Sequence, residues 1–164
     1  MTEPNPERIR LAVPSDELEL MELCRRNHEE NGIGSFSSER VQRVFQAAFA
    51  PTATEFAVIG VVGGSAIEGS VGLMIDQPWD STTYLLMERW NYVLPAYRHT
   101  TNLRDLTAWA KRMSAPAPVG MGLPLQIGAI STRRTESKIR LYGRQLGEPV
   151  AVAWLCETLD WRAH

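Results

Sequence analysis

The sequence predicts a mixed α/β domain, with a central sheet covered by helices on both faces and elements in the order β-α-α-β-β-β-α-β-α-β. Three observations lead there. Apolar residues change along the chain from strand-like runs to helical spacing and back. Gly63-Gly64 separates two β-rich runs, 55–62 and 66–75, and reads as a hairpin turn between antiparallel neighbours. The unit from Tyr84 to Ile130 reads strand, helix, strand, which requires a parallel pair joined by a crossover.

The elements follow in chain order. Met1 to Glu7 is polar and Pro-rich and reads as a flexible tail, leaving 8–164 as a single domain. Arg8 to Val13 alternates charged and apolar residues, as a strand does. Pro14-Ser15-Asp16 stops it and offers a helix N-cap; Leu20, Leu23, Cys24 and Asn27 then share a helix face that ends near Asn31-Gly32. Ser37 or Ser38 caps a second helix, whose apolar face is Val41, Val44, Phe45, Ala48 and Phe49 and which Pro51 ends. After the hairpin, a third β run spans Tyr84 to Leu94. A helix from Asn102 to Met113 carries Leu103, Leu106, Ala110 and Met113 on one side. A Pro/Gly/Ala-rich loop, 114–122, precedes a short strand, 124–130. A helix over 136–146 presents Ile139, Tyr142, Gly143 and Leu146, with Gly147 placed as its C-cap, and a last strand covers 150–159. The five tryptophans read as core and rim residues, with Trp79 and Trp90 able to line a pocket.

Composition narrows the function classes. The chain has 164 residues, a formal charge of -2 and a pI near 5.9, so it has no global attraction for nucleic acid or anionic membranes. Two cysteines and three histidines lack zinc-type spacing, so no metal is expected, and both cysteines read as small buried apolar residues. The apolar runs are too short to span a bilayer and no signal peptide is evident, which makes the cytoplasm the expected compartment.

The informative segment is Tyr92 to Leu103, where a strand runs through a short loop into a helix. The first N–H groups of such a helix lack internal partners and, with the helix dipole, attract an anion. Arg98 and Arg104 add positive charge beside it, and Thr100 and Thr101 add hydroxyl donors. Most strand–helix junctions of this kind bind nothing, so an ordinary capped helix is the plain alternative.

Val93, Pro95, Tyr97 and Arg98 match as they stand the Val-x-Pro-x-Tyr-Arg pattern of the GCN5-related N-acetyltransferase (GNAT) superfamily. Leu141 to Gly147 resembles the Tyr…Gly stretch on that superfamily's fourth helix, and the resemblance extends from Arg8 to Leu159. It departs at Thr101 and Leu103, where the family's loop carries small residues, and is similar there to a phage and bacterial subset with a glycine-poor loop. The resemblance implies a GNAT-like acyl-CoA-binding domain. Backbone amides of Val93 and of Arg98, His99, Thr100, Thr101, Asn102 and Leu103 would hold acetyl-CoA, and the strand 124–130 would splay from the preceding one to admit pantetheine. It implies Tyr142 as the acid that protonates the CoA thiolate. Glu88, a charge in the middle of a β run, is the candidate base, with a solvent-facing position, or a salt bridge to Arg89 or to a neighbouring strand, as its plain alternatives. Asp76 is a weaker candidate base, and His28, Glu29 and Glu30 lie where acceptors enter many members. The basic run Arg133, Arg134, Lys138, Arg140 and Arg144 reads as a partner for the adenosine 3′-phosphate or as a solvated helix face.

The function so implied is N-acyl transfer from acetyl-CoA to an unidentified small-molecule or protein amine, by direct attack in a ternary complex. Family habit adds a homodimer. Two alternatives stand beside it: a non-catalytic GNAT-fold interaction protein, for example in phage–host conflict, supported by the missing glycines; and an acyltransferase acting on nucleic acid or nucleotides, supported only by the basic run.

Overall fold

A computed structural model of the chain describes residues 3–128 and 135–147. The strand expected over 150–159, with Cys156, Trp154 and Trp161, and also Arg133 and Arg134, lie outside the described residues. The elements are β1 (Arg10–Leu11), α1 (Glu17–Asn31), α2 (Ser38–Phe49), β2 (Ala57–Gly63), β3 (Ile67–Asp76), β4 (Leu85–Val93), α3 (Asn102–Ser114), β5 (Leu125–Gln126) and α4 (Thr135–Leu146). The expected order therefore holds as far as α4. The sheet runs β1-β2-β3-β4-β5, antiparallel through β4 and parallel between β4 and β5. Among the described residues no helix is long and apolar enough to cross a membrane.

Side-chain alternation along the strands divides the core in two. One face packs Leu20, Leu23 and Cys24 of α1 and Phe45 of α2 against Ile59, Val61, Trp90 and Tyr92. The other packs Leu106, Trp109 and Ala110 of α3 against Val62, Val71, Leu73, Leu86 and Val93. Phe45 is wholly buried and meets the Trp90 ring edge-on at 6.1 Å. Burial pushes the Cys24 thiol up to about 12, so it packs as an inert apolar group. At the β2–β3 turn, Gly63 has φ +145°, and an added Cβ would lie 2.1 Å from the Ala66 carbonyl oxygen, so only glycine closes the hairpin there.

Several expected boundaries move. Pro6 starts a single 3-10 turn through Arg8, which shortens the first strand to Arg10–Leu11. Part of the stretch read as a tail is docked: the Asn5 amide donates to Asp105 Oδ1 at 2.7 Å, and Glu7 pairs with Arg112. Among the described residues, the strand read over 124–130 spans Leu125–Gln126, joined to β4 at Leu86↔Leu125 and Met87↔Gln126; its last two positions, 129 and 130, lie outside them. Ile139 was expected on the inner face of α4 but is 52% exposed, because α4 meets the body through Lys138, Tyr142 and Gln145, at i, i+4 and i+7. Trp79 is 97% exposed in the β3–β4 loop and packs in neither core; Trp90 and Trp109 are buried as read.

One irregularity shapes everything downstream. Gly72 pairs with Trp90 but Leu73 pairs with Glu88, so Arg89 is an extra residue on β4. Such a bulge resets the alternation. Leu86 and Glu88 then share the α3 face with Asn91 and Val93, while Trp90 and Tyr92 point to α1 and α2. Gly72 makes room for this, since a Cβ there would lie 2.5 Å from the Trp90 ring.

Candidate functional site

Beyond the two-residue pairing with β5, the C-terminal half of β4 has no described strand on that side. α4 crosses there, and between β4, α3 and α4 lie two adjoining cavities of about 220 and 300 Å³ that share Arg98, Thr100, Leu103 and Ser137. The inner one reaches Asn91, Tyr92, Val93, Lys138 and Glu30. The outer one is basic, walled by Arg98, Arg104, Arg140 and Arg144 around the start of α3.

A polar network lies behind the inner cavity. Tyr142 Oη donates to Glu88 Oε2 at 3.5 Å and accepts from Asn91 Nδ2 at 3.4 Å, both long contacts. Asn91 Nδ2 also donates to Thr107 Oγ1 at 3.1 Å, while Asn91 Oδ1 is buried with no partner among the described residues. Lys138 Nζ, one turn before Tyr142 on α4, donates to the Asn91 carbonyl oxygen at 3.3 Å. Burial raises the Glu88 carboxyl to about 8, against the opposing pull of Lys138 and of the Tyr142 hydroxyl. Burial, then the nearby Glu88 charge, raises Tyr142 well above its ordinary value, so it keeps its proton at neutral pH. Burial lowers Lys138, while Glu88 and Glu30 act to raise it.

The loop before α3 is largely occupied with itself. A 3-10 turn, Pro95–Tyr97, leads into Thr100, whose hydroxyl donates to the Tyr97 carbonyl at 2.6 Å and accepts from the Asn102 amide at 3.2 Å. Thr101 Oγ1 donates to Asp105 Oδ2 at 2.7 Å, and Asn102 Nδ2 donates to Glu68 Oε2 at 2.7 Å. The expectation that Thr100 and Thr101 offer hydroxyl protons to an anion is thereby corrected: both protons satisfy internal acceptors. Internal bonds also engage the amides of Arg98 and Thr100, while those of His99, Thr101 and Leu103 have no partner among the described residues. The Arg98 guanidinium turns inward. Its Nε donates to the Val93 carbonyl at 3.0 Å, it pairs with Glu30, and it lies 5.2 Å from the centre of the Tyr92 ring. Tyr92 Oη donates to the same Glu30 carboxylate at 3.0 Å; burial and that acceptor raise Tyr92 to about 12.

The candidate residues therefore divide. Val93, Arg98, Thr100 and Leu103 line the cavities, whereas His99 is exposed and Thr101 and Asn102 direct their side chains toward Arg8, Glu68 and Asp105. Glu88 and Tyr142 come together but lie behind Asn91 rather than on the cavity wall. Glu88 has no ion pair with Arg89, which turns to Asp76 at 2.6 Å and so occupies that other candidate base. Of the helix-end cluster, only Glu30 faces the cavity; His28 bonds the Gly34 carbonyl and Glu29 pairs with Arg25. Sequence reasoning missed Asn91 and the inward placement of Lys138. The available signal was a lone amide between Trp90 and Tyr92 in an otherwise apolar strand end.

No family model matches the chain, and no curated protein matches it. Solved structures do. The structure of AAC(6')-Iy in complex with a bisubstrate analogue, CoA-S-monomethyl-acetylneamine, aligns with TM-score 0.61 at 14% identity, over 90% of this chain and 95% of that one. An integron cassette protein from the mobile metagenome of Cole Harbour Salt Marsh gives 0.64 at 16% identity, over 94% and 92%. An acetyltransferase from Trypanosoma brucei gives 0.57 at 18% identity, over 92% and 98%. The chain thus shares its overall fold with these proteins, over nine-tenths or more of its length.

Proposed function

We propose that this chain is an N-acyltransferase that takes an acyl group, acetyl in the simplest case, from acyl-CoA and transfers it to an amine. The observation that carries this reading is the continuous cavity beside β4, basic at its outer end and polar behind its inner end, in a fold shared with a protein bound to a CoA-based bisubstrate analogue. The residues present suit such a donor. Arg104, Arg140 and Arg144 offer charge to phosphates next to the start of α3, where the amides of Thr101 and Leu103 have no partner among the described residues. Val93 and Leu103 offer apolar walls to a pantetheine arm.

The donor supplies an activated thioester carbonyl, and the chain manages protons around it. A raised carboxyl such as Glu88 holds a proton below about pH 8 and accepts one above it, a suitable range for relieving an ammonium acceptor of its charge. Tyr142, kept protonated, is the donor to a departing thiolate. Its proton now points to Glu88, so both roles require α4 and Asn91 to open the path from the cavity to the hydroxyl.

The test is thiol release from acetyl-CoA across a panel of primary amines, read with a thiol reagent. Amine-dependent release supports the reading; none with any amine overturns catalysis. A second reading, a non-catalytic interaction protein, draws on the Arg98 guanidinium, which already holds the Val93 carbonyl and Glu30 at the head of the slot. Stable capture of a protein partner by a chain that does not bind CoA would favour it.

A further inference from the structure

The chain holds fifteen arginines but only two lysines, Lys111 and Lys138. An N-acyltransferase acts on amines, and a guanidinium is a poor acyl acceptor because its charge persists at any physiological pH. The chain therefore presents just two lysine amines to its own donor. They are placed very differently. Lys111 is exposed at the end of α3, its Nζ donating to the Gln145 carbonyl at 3.0 Å. Lys138 is half-buried on α4 and lines the inner cavity, its Nζ held to the Asn91 carbonyl of β4 at 3.3 Å. It shares that cavity with Val93 and Leu103, and Tyr142 lies one helical turn further on.

We propose that Lys138 is an acyl acceptor within the chain: its Nζ takes an acyl group from an acyl-CoA thioester in the adjoining cavity, giving a stable N6-acyl-lysine. This rests on the function proposed above. The groups facing the amine are Glu88 and Glu30, which favour its charge, and Arg98, which opposes it. Burial outweighs them and lowers its affinity for a proton, so more of it is the free amine at neutral pH than for an exposed lysine. The reaction balances. The ammonium loses one proton, to solvent or, where the carboxyl is ionised, to Glu88, and its lone pair attacks the thioester carbonyl carbon. The C–N bond forms as the C–S bond breaks. The thiolate leaves with a proton from Tyr142, which the nitrogen's second proton restores. The sum is one ammonium and one thioester giving one amide, one thiol and one proton. The amide carries no charge and projects into a cavity of about 220 Å³, so the modification fills the site that made it.

The experiment incubates the intact protein with labelled acetyl-CoA and reads the label by peptide mass spectrometry, alongside calorimetric binding of acetyl-CoA to the same preparation. Label is expected at Lys138 about tenfold or more faster than at Lys111, from proximity and the larger free-amine fraction. Lys138→Arg should abolish it, and Lys111→Arg should leave it unchanged. Equal labelling of the two lysines, or label confined to Lys111, means ordinary solution acetylation and overturns the proposal. Bound acetyl-CoA with no label at Lys138 overturns it while leaving the function above standing. No binding of acetyl-CoA overturns both.

Discussion

Replacing Glu88 by glutamine keeps the side chain's shape and removes its titration. In the folded chain the carboxyl titrates near 8, raised from the ordinary 4.5 chiefly by burial. Between those values the folded chain retains a proton that the unfolded chain has released. Stability must therefore fall as pH rises across that window, by at most about 1.4 kcal/mol per pH unit. Carried across the window the ceiling is about 5 kcal/mol, and the partial exposure of the residue brings the expected loss to about 3 kcal/mol. Glu88→Gln does not titrate, so the two proteins should have similar stability below pH 4.5, with the variant about 3 kcal/mol more stable above pH 8. For a domain of this size that is a gain on the order of 10 °C in Tm. Thermal unfolding followed by circular dichroism at pH 4.5 and 8.5 measures it. A Tm difference that is the same at both pH values would mean that the carboxyl is solvated in the folded chain, and would remove the basis for the base role proposed for it.

Other consequences are more local. Tyr142→Phe should lower kcat about a hundredfold while changing acetyl-CoA affinity little if the hydroxyl has the proton-transfer role proposed for it; equal losses in both would assign it to binding. Arg140→Gln with Arg144→Gln should weaken CoA binding about tenfold in low salt, with a smaller effect on dephospho-CoA, since both side chains wall the outer cavity; titration calorimetry with the two ligands separates these. Phe45→Ala, which empties a wholly buried site against Trp90, should cost about 3–5 kcal/mol in a denaturant titration and leave the cavity beside β4 in place.

Much of the scaffold is legible because periodicity reports burial. The α2 stripe from Val41 to Phe49, the Gly63-Gly64 hairpin and the run into Pro95 each state one local rule, and each is found within a residue or two of its expected bounds. The site is less legible because it depends on the tertiary register. Nothing local to Arg89 announces a bulge, yet the bulge alone lets Glu88 and Asn91 share a face. Two arginines that wall the outer cavity differ in their partners: Arg98 also turns inward to Glu30 and the Val93 carbonyl, while Arg104 lines the outer cavity only. The choice lies with Glu30, sixty-eight residues away. Lys138 read as one member of a basic run, because a sequence gives the spacing of α4 but not its rotation about its own axis. That rotation places Ile139 in solvent and Lys138 over β4.

The measurement that bears most directly on the central claim is isothermal titration of the protein with acetyl-CoA, with CoA in parallel. The account predicts micromolar binding of both. Absence of any binding at millimolar ligand would contradict it, leaving the shared fold without a donor.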